Sequence, residues 1–261
     1  MKTIKLQADI NSNSVENVAE DKLALHEQGW SNYDTEMTCG SPMERLMMQN
    51  GYHYLKPDPY GPERKRAYLK LDLDVAKGTI EASADQSYSQ TYKANNIDGG
   101  KVRHFEPMPD ALVGSVVFQR LVLGFIEKML SVFELKLDVA KIGVHAVRYE
   151  TVGGQPSFSS PVWLHKDDEP VVFVTVIDET EGMVGGDSII AQSIKSIERV
   201  THLAPFEGVL LTKSCLHAVT PMEAPSGCKR AHRDILLVTL EEPDDLAVLK
   251  PVTEVPEKKA S

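Results

Sequence analysis

Pro161-Val-Trp-Leu-His-Lys-Asp-Asp-Glu-Pro-Val-Val-Phe-Val-Thr-Val-Ile177 carries both the fold class and the chemistry of this chain in one stretch. Two apolar runs, Val162–His165 and Val171–Ile177, flank a charged block. Each is too short for a helix and the second is rich in β-branched residues, so both read as strands. Similar runs recur on either side: Ile142–Tyr149, Ser188–Ala191, Gly208–Thr212, His217–Thr220 and Asp234–Leu240. Turn residues such as Gly153-Gly154 and Gly185-Gly186 separate them. Short strands at this spacing predict an all-β sandwich or barrel rather than βαβ units.

Upstream of Lys141 the texture is different. Ser14–Gly29 reads as an approximate amphipathic helix stopped by Gly29. Ser41-Pro42-Met-Glu44 supplies a cap, a first-turn proline and an acid for a short helix to Asn50, ended by Gly51. Tyr68–Val75 alternates like a strand, and 83–100 reads as loop. Ala111–Phe133 reads as one long helix whose stripe, including Leu112, Phe118, Val122, Phe125 and Met129, would face a sheet. The expected class is mainly β with flanking helices. The expected organisation is an N-terminal helical segment over 1–60 opening on a polar arm, a β domain over 61–241, and a mobile tail over 242–261.

With 261 residues, 42% of them hydrophobic, the chain can bury a full core as one domain. Lys and Arg number 28 against 38 Asp and Glu, a formal charge of -10. That balance disfavours nucleic acid, whose binding rests on basic residues neutralising phosphates. A small anionic substrate would need a local basic pocket. The longest apolar runs, Leu121–Ile126 and Ile235–Leu240, fall far short of the roughly 20 residues of a membrane span. Three cysteines, Cys39, Cys215 and Cys228, form no close pair, which argues against a disulfide framework or zinc knuckle and for a reducing cytoplasm.

The chemistry centres on His165 and Asp167. At i and i+2 of a strand they leave on one face while Lys166 points away. His217 follows on a later β-segment. Two imidazoles and one carboxylate match the facial ligand set of non-haem Fe(II) oxygenases, which leaves the opposite positions open. A His-x-Asp pair alone arises often by chance, and Lys166, Asp168 and Glu169 also suit a plain surface turn. Its placement between two apolar strands, with His217 and Arg233 following in order, sharpens the reading.

Longer strings carry a resemblance: Asp98-Gly-Gly-Lys-Val-Arg-His-Phe105, Ile142-Gly-Val-His-Ala-Val-Arg-Tyr149, Pro156-Ser-Phe-Ser-Ser-Pro161, Leu164–Phe173, Gly185-Gly-Asp187, His217-Ala-Val-Thr-Pro221 and Arg233-Asp-Ile-Leu-Leu-Val-Thr239. From about Tyr60 to Leu240 the chain resembles the Fe(II)/2-oxoglutarate-dependent dioxygenases, in particular the bacterial free-amino-acid hydroxylases. The resemblance implies a double-stranded β-helix, a jelly-roll of two packed sheets. It implies Fe(II), 2-oxoglutarate and O2, with His165, Asp167 and His217 as metal ligands and Arg233 pairing the distal carboxylate of 2-oxoglutarate. Arg230 rivals Arg233, because the loop Glu223–Ala231 lengthens the spacing. Tyr149 resembles a cosubstrate-contacting tyrosine, and Thr239 could share the Arg233 face. His145 is read as a core histidine.

The implied reaction hydroxylates an unactivated side-chain carbon of a free L-amino acid, aliphatic or cyclic, releasing succinate and CO2. The carboxylate of Asp167 favours hydroxylation over halogenation, since related halogenases lack it. Arg103 and Arg148 are the preferred cations for the substrate carboxylate, with Arg64 and Arg66 as further candidates. Asp168, Glu169, Asp98 and Tyr92 are candidate acceptors for its ammonium, and Phe158 and Trp163 candidate apolar walls. His26, His53, His202 and His232 receive no role. A small-molecule amino acid is the expected partner, without nucleic acid or membrane, and a homodimer stays open. The other readings are an N-acylated substrate, a three-ligand zinc hydrolase and a catalytically silent jelly-roll sensor.

Overall fold

Arg233 to Leu240 alternates apolar side chains so that both faces of one strand are covered, and this strand runs through the middle of the molecule. The computed structural model describes residues 5–7, 18–35, 40–92, 99–159, 161, 163–241 and 246–252. In chain order its strands are β1 (Lys5–Gln7), β2 (Trp30–Asp34), β3 (Pro57–Asp58), β4 (Gly61–Asp74), β5 (Thr79–Ala82), β6 (Glu106–Pro107), β7 (Phe133–Leu135), β8 (Val139–Val152), β9 (Val171–Glu179), β10 (Ser188–Ser193), β11 (Ser196–Thr201), β12 (Glu207–Thr212), β13 (Leu216–Val219), β14 (Arg230–Leu240) and β15 (Ala247–Leu249). The helices are α1 (Val18–Glu27), α2 (Pro42–Gly51), α3 (Asp110–Val113) and α4 (Val116–Val132).

The large sheet runs β1-β5-β4-β8-β14-β9-β12-β2, and a small sheet runs β11-β10-β13. On β14, Leu236, Val238 and Leu240 point outward into a core shared with Leu121, Phe125 and Met129 of α4. Arg233, Ile235, Leu237 and Thr239 point inward, toward the small sheet. Ile190 of β10 packs there with Val176, Val209 and Ile235 of the large sheet. Two facing antiparallel sheets with helices on one outer face form the double-stranded β-helix. The period of two on β14 therefore separates a dry helical layer from a cavity.

Several expectations change. The long helix is divided: α3 ends at Gly114, and Ser115 starts α4 by accepting the Phe118 amide at 3.4 Å. A capping serine next to a glycine favours this restart over a continuous helix. The helix read from Ser14 is described from Val18, and Gly29 past its end takes φ 80, a left-handed conformation suited to glycine. The first sixty residues are not a separate helical segment, because β2 pairs with β12 and Leu25, Met48 and Tyr52 are buried in the main core. The polar arm lies mostly outside the described residues, but β1 pairs with β5. In the tail, β15 pairs with β7, so Ala247–Leu249 is held in a sheet, while 253–261 lies outside the described residues. Of the strand expected over Val162–His165, Val162 is outside the described residues, and residues 163–165 form no strand beyond the isolated His165 bridge to His217. No described helix is long and apolar enough to cross a membrane.

Candidate active site

The cavity between the sheets is floored by inward residues of β4, β8, β9 and β14 and roofed by β13 and the 157–169 segment. At its roof, the backbones of His165 and His217 exchange two hydrogen bonds, N–H to O at 3.0 and 2.9 Å. This bridge brings together side chains more than fifty residues apart in sequence. Asp167, two residues after His165, reaches both imidazoles. Its Oδ1 lies 3.7 Å from His165 Nε2 and its Oδ2 3.2 Å from His217 Nε2. One ligand atom from each of the three falls within 4.8 Å of the others.

The convergence expected from strand alternation is thus present, although a bridged bend between Pro161 and Pro170 produces it. His165 Nδ1–H donates to Trp163 O at 2.9 Å, which leaves Nε2 with its lone pair facing Asp167. Burial, then the neighbouring His217, lowers the His165 pKa, so this ring is neutral at neutral pH. Burial opposes charge on His217 also, but the Asp167 carboxylate overrides it and raises that pKa to about 10. Asp167 is itself held below its ordinary value: burial works against the charge, and His217 and His165 outweigh it. Once the shared His217 proton gives way to a metal, two borderline nitrogen donors and one anionic oxygen facing one point fit a divalent iron centre.

Arg233 lies on the inner face of β14 and is 2% exposed. One Nη1 hydrogen goes to Glu179, its register partner on β9, and Nη2 donates to Leu203 O at 3.0 Å. His202 sits between Glu179 (2.9 Å) and Asp187 (3.0 Å) behind this pair. Gly186, at φ 75, passes so close that an added Cβ would stand 3.2 Å from Arg233 Cδ. Tyr149 is directly opposite Arg233 in the β8–β14 register, and Thr239 is six residues along the same face; both line the cavity. Arg230 begins β14 exposed to solvent and is not part of this wall.

The expected substrate contacts separate. Arg103 is 3% exposed and lines the cavity. Arg148 does not: its neighbours on β8 alternate, and it points to the outer face. There it makes two 2.7 Å bonds to Asp234, with His53 accepting a third at 3.0 Å. In the second group of potential ligands, Asp234 is thus taken by Arg148, while His232 and Asp178 pair with each other at 3.1 Å. Phe158 and Trp163 are 39% and 47% exposed and lie outside the cavity wall, so they are not its apolar lining. Val172, Val174 and Val176 of β9 supply that lining instead. Asp168 accepts from Thr91 Oγ1 at 2.8 Å and ties down the 83–92 segment. Asp98 lies outside the described residues, and Tyr92 is exposed. Glu169, Arg64 and Arg66 all line the cavity. His145 does too, and burial, then Arg66, holds its pKa well below the ordinary value. No local pattern marks Glu179 or His202: the β9–β14 register brings Glu179 to Arg233, and the chain just after β11 brings His202 beside them.

A family profile described as 2OG-Fe dioxygenase matches residues 49–239. The chain belongs to that family. Its members' chemistry requires Fe(II), 2-oxoglutarate and O2, and sets the zinc-hydrolase reading aside. The chain is 36% identical over 203 residues to a 3(1)-hydroxy-L-isoleucine 4-dioxygenase of Pantoea ananatis (strain AJ13355), covering 76% of this chain and 81% of that protein. It is 37% identical over 198 residues to an L-isoleucine-4-hydroxylase of Bacillus thuringiensis, covering 73% and 80%. The crystal structure of IDO from Bacillus thuringiensis superposes with a TM-score of 0.73 at 29% identity, over 86% of this chain and 96% of that one. This dioxygenase is therefore similar in sequence to enzymes named for L-isoleucine and for a hydroxylated L-isoleucine.

Proposed function

We propose that this dioxygenase hydroxylates an unactivated side-chain carbon of an aliphatic L-amino acid, one close to isoleucine in size. The observation that carries the reading is one cavity with His165, Asp167 and His217 at its roof and the buried guanidinium of Arg233 in its floor. The names of the two relatives supply the substrate class. In this reading His165, Asp167 and His217 hold the iron, and Arg233 receives the distal carboxylate of 2-oxoglutarate. Tyr149 and Thr239 flank that arginine on the same face. When bound, the iron would activate O2, with one oxygen atom going to the substrate C–H bond and the other to 2-oxoglutarate as it is oxidised to succinate and CO2.

The chain's own residues then orient and exclude. Glu179 and Leu203 O fix the Arg233 fork so that its remaining donors face the cavity. Val172, Val174, Val176, Ile235 and Leu237 keep water from the floor. Position selectivity follows from how rigidly the cavity aims one C–H bond. The cytoplasmic setting rests on Cys215 and Cys228, both free thiols.

The test is to supply iron-loaded protein with 2-oxoglutarate and each of the twenty amino acids. L-Isoleucine or a near neighbour is expected to gain one oxygen by mass, with matching succinate. His165→Ala is expected to keep its circular dichroism spectrum and lose all turnover. Absence of any oxygenated amino acid, or full activity in His165→Ala, overturns the reading.

A further inference from the structure

Two arginines in the cavity differ from the other buried arginines of the sheet. Arg64 is paired with Asp58, Arg148 with Asp234 and Arg233 with Glu179. Arg66 and Arg103 make no ion pair with any described residue. Arg66 donates from Nη2 to the neutral His145 Nδ1 at 2.8 Å, and Arg103 from Nη2 to Gln90 Oε1 at 2.6 Å. The Nε atom of each is buried without a hydrogen-bond partner. Both guanidinium groups rest on one aromatic pair. Arg66 Cζ is 4.1 Å from the Phe105 centroid, and Arg103 Cζ is 4.8 Å from that of Tyr88. Aromatic faces steady a cation but do not neutralise it. Buried charges without a partner of opposite sign are costly and mark a place where one is to arrive.

A carboxyl group able to meet a cation stands on the same ring. Tyr88 donates its hydroxyl to Glu169 Oε1 at 2.9 Å, and Glu169 is 7% exposed. Glu169 makes no ion pair with a described residue. All these groups line the cavity that contains His165 and Asp167. The cavity thus presents two unmatched cations and one buried carboxyl group without an ion-pair partner among the described residues, linked to them through Tyr88. That is the complement of a group carrying a carboxylate and an ammonium on one carbon atom.

We infer that Arg66 and Arg103 receive the α-carboxylate of the substrate and Glu169 its α-ammonium, so that the enzyme takes amino acids with both α-groups free. This rests on the proposed function and deepens it. His145 acts as a positioning residue: as an acceptor it turns the Arg66 fork toward the cavity. An N-acylated amino acid would leave Glu169 without its cation, and an ester would leave the two arginines without their anion. Polar recognition of this kind discriminates strongly, because a missing partner strands a buried charge.

The experiment is anaerobic calorimetry on the full chain loaded with Mn(II) and 2-oxoglutarate. The titrants are L-isoleucine, its methyl ester and its N-acetyl derivative. Wild type is expected to bind isoleucine at least about tenfold more tightly than either derivative, which is 1.4 kcal/mol or more. Arg66→Gln and Arg103→Gln are expected to weaken isoleucine binding and shrink the preference over the ester. Glu169→Gln is expected to shrink the preference over the N-acetyl derivative, with 2-oxoglutarate binding retained in all three. Equal wild-type binding of the three titrants overturns the inference without any variant having to fold. Variants that lose 2-oxoglutarate affinity but keep isoleucine affinity also overturn it, by assigning the arginine pair to the cosubstrate. If wild type hydroxylates free amino acids without this discrimination, the recognition fails while the proposed function stands. If it oxygenates no amino acid, both fall.

Discussion

His165, Asp167 and His217 are legible as residue types, but their protonation comes from their surroundings. His165 can offer Nε2 because Trp163 O takes its other nitrogen. Arg233 depends in the same way on Glu179. Replacing that carboxylate strands a buried cation, so Glu179→Ala is expected to lose on the order of 3 kcal/mol of stability. Added 2-oxoglutarate should raise the melting temperature of that variant more than that of wild type, because its carboxylate replaces the lost partner. His202, between Glu179 and Asp187, has its pKa raised, first by the Glu179 hydrogen bond. A raised histidine pKa means the folded state holds the proton more tightly. The stabilisation is fully present below the unfolded value near 6.5 and fades as pH rises through the folded value. Urea denaturation should therefore show the stability gap between wild type and His202→Gln widest below pH 6.5 and narrower at pH 8. A gap independent of pH would contradict the role.

The elements that pack on two sides were readable from periodicity, as β8, β9 and β14 show. In β14, outward Leu236, Val238 and Leu240 and inward Leu237 and Thr239 keep the period of two because each face meets a different layer. β11 escaped the reading because Ile197 and Val200 remain 58% exposed, so no apolar face is set apart. β2 escaped because its strand status depends on β12 beside it. The break between α3 and α4 was encoded in Gly114-Ser115 but hidden under a continuous apolar stripe. Ser115→Ala removes the cap and is expected to cost about 1 kcal/mol. Chemical denaturation checks this: an unchanged midpoint would mean that packing of the α4 stripe alone sets the restart.

Across the molecule, the proposed metal ligands join a bridged bend to the small sheet, while the proposed cosubstrate arginine belongs to the large one. Binding should therefore stabilise the assembly as a whole. Divalent metal at one hundred times its dissociation constant is expected to add about 2.7 kcal/mol. Chelation should reverse it, and His165→Ala should show no such gain in thermal denaturation. A metal-independent melting temperature in wild type would count against the site.

The sequence by itself determined the β-rich class, the apolar faces of the long strands and the candidates His165, Asp167, His217 and Arg233. Strand periodicity is local, and these residue types carry their chemistry wherever they are placed. Tertiary structure alone decided that Arg148 turns away to Asp234, that Arg66 and Arg103 meet on Tyr88 and Phe105, and that Glu179 and His202 stand behind Arg233. Whether a charged side chain is exposed, paired or left waiting for a ligand depends on which distant strand lies beside it, and strand register is a property of the folded sheet.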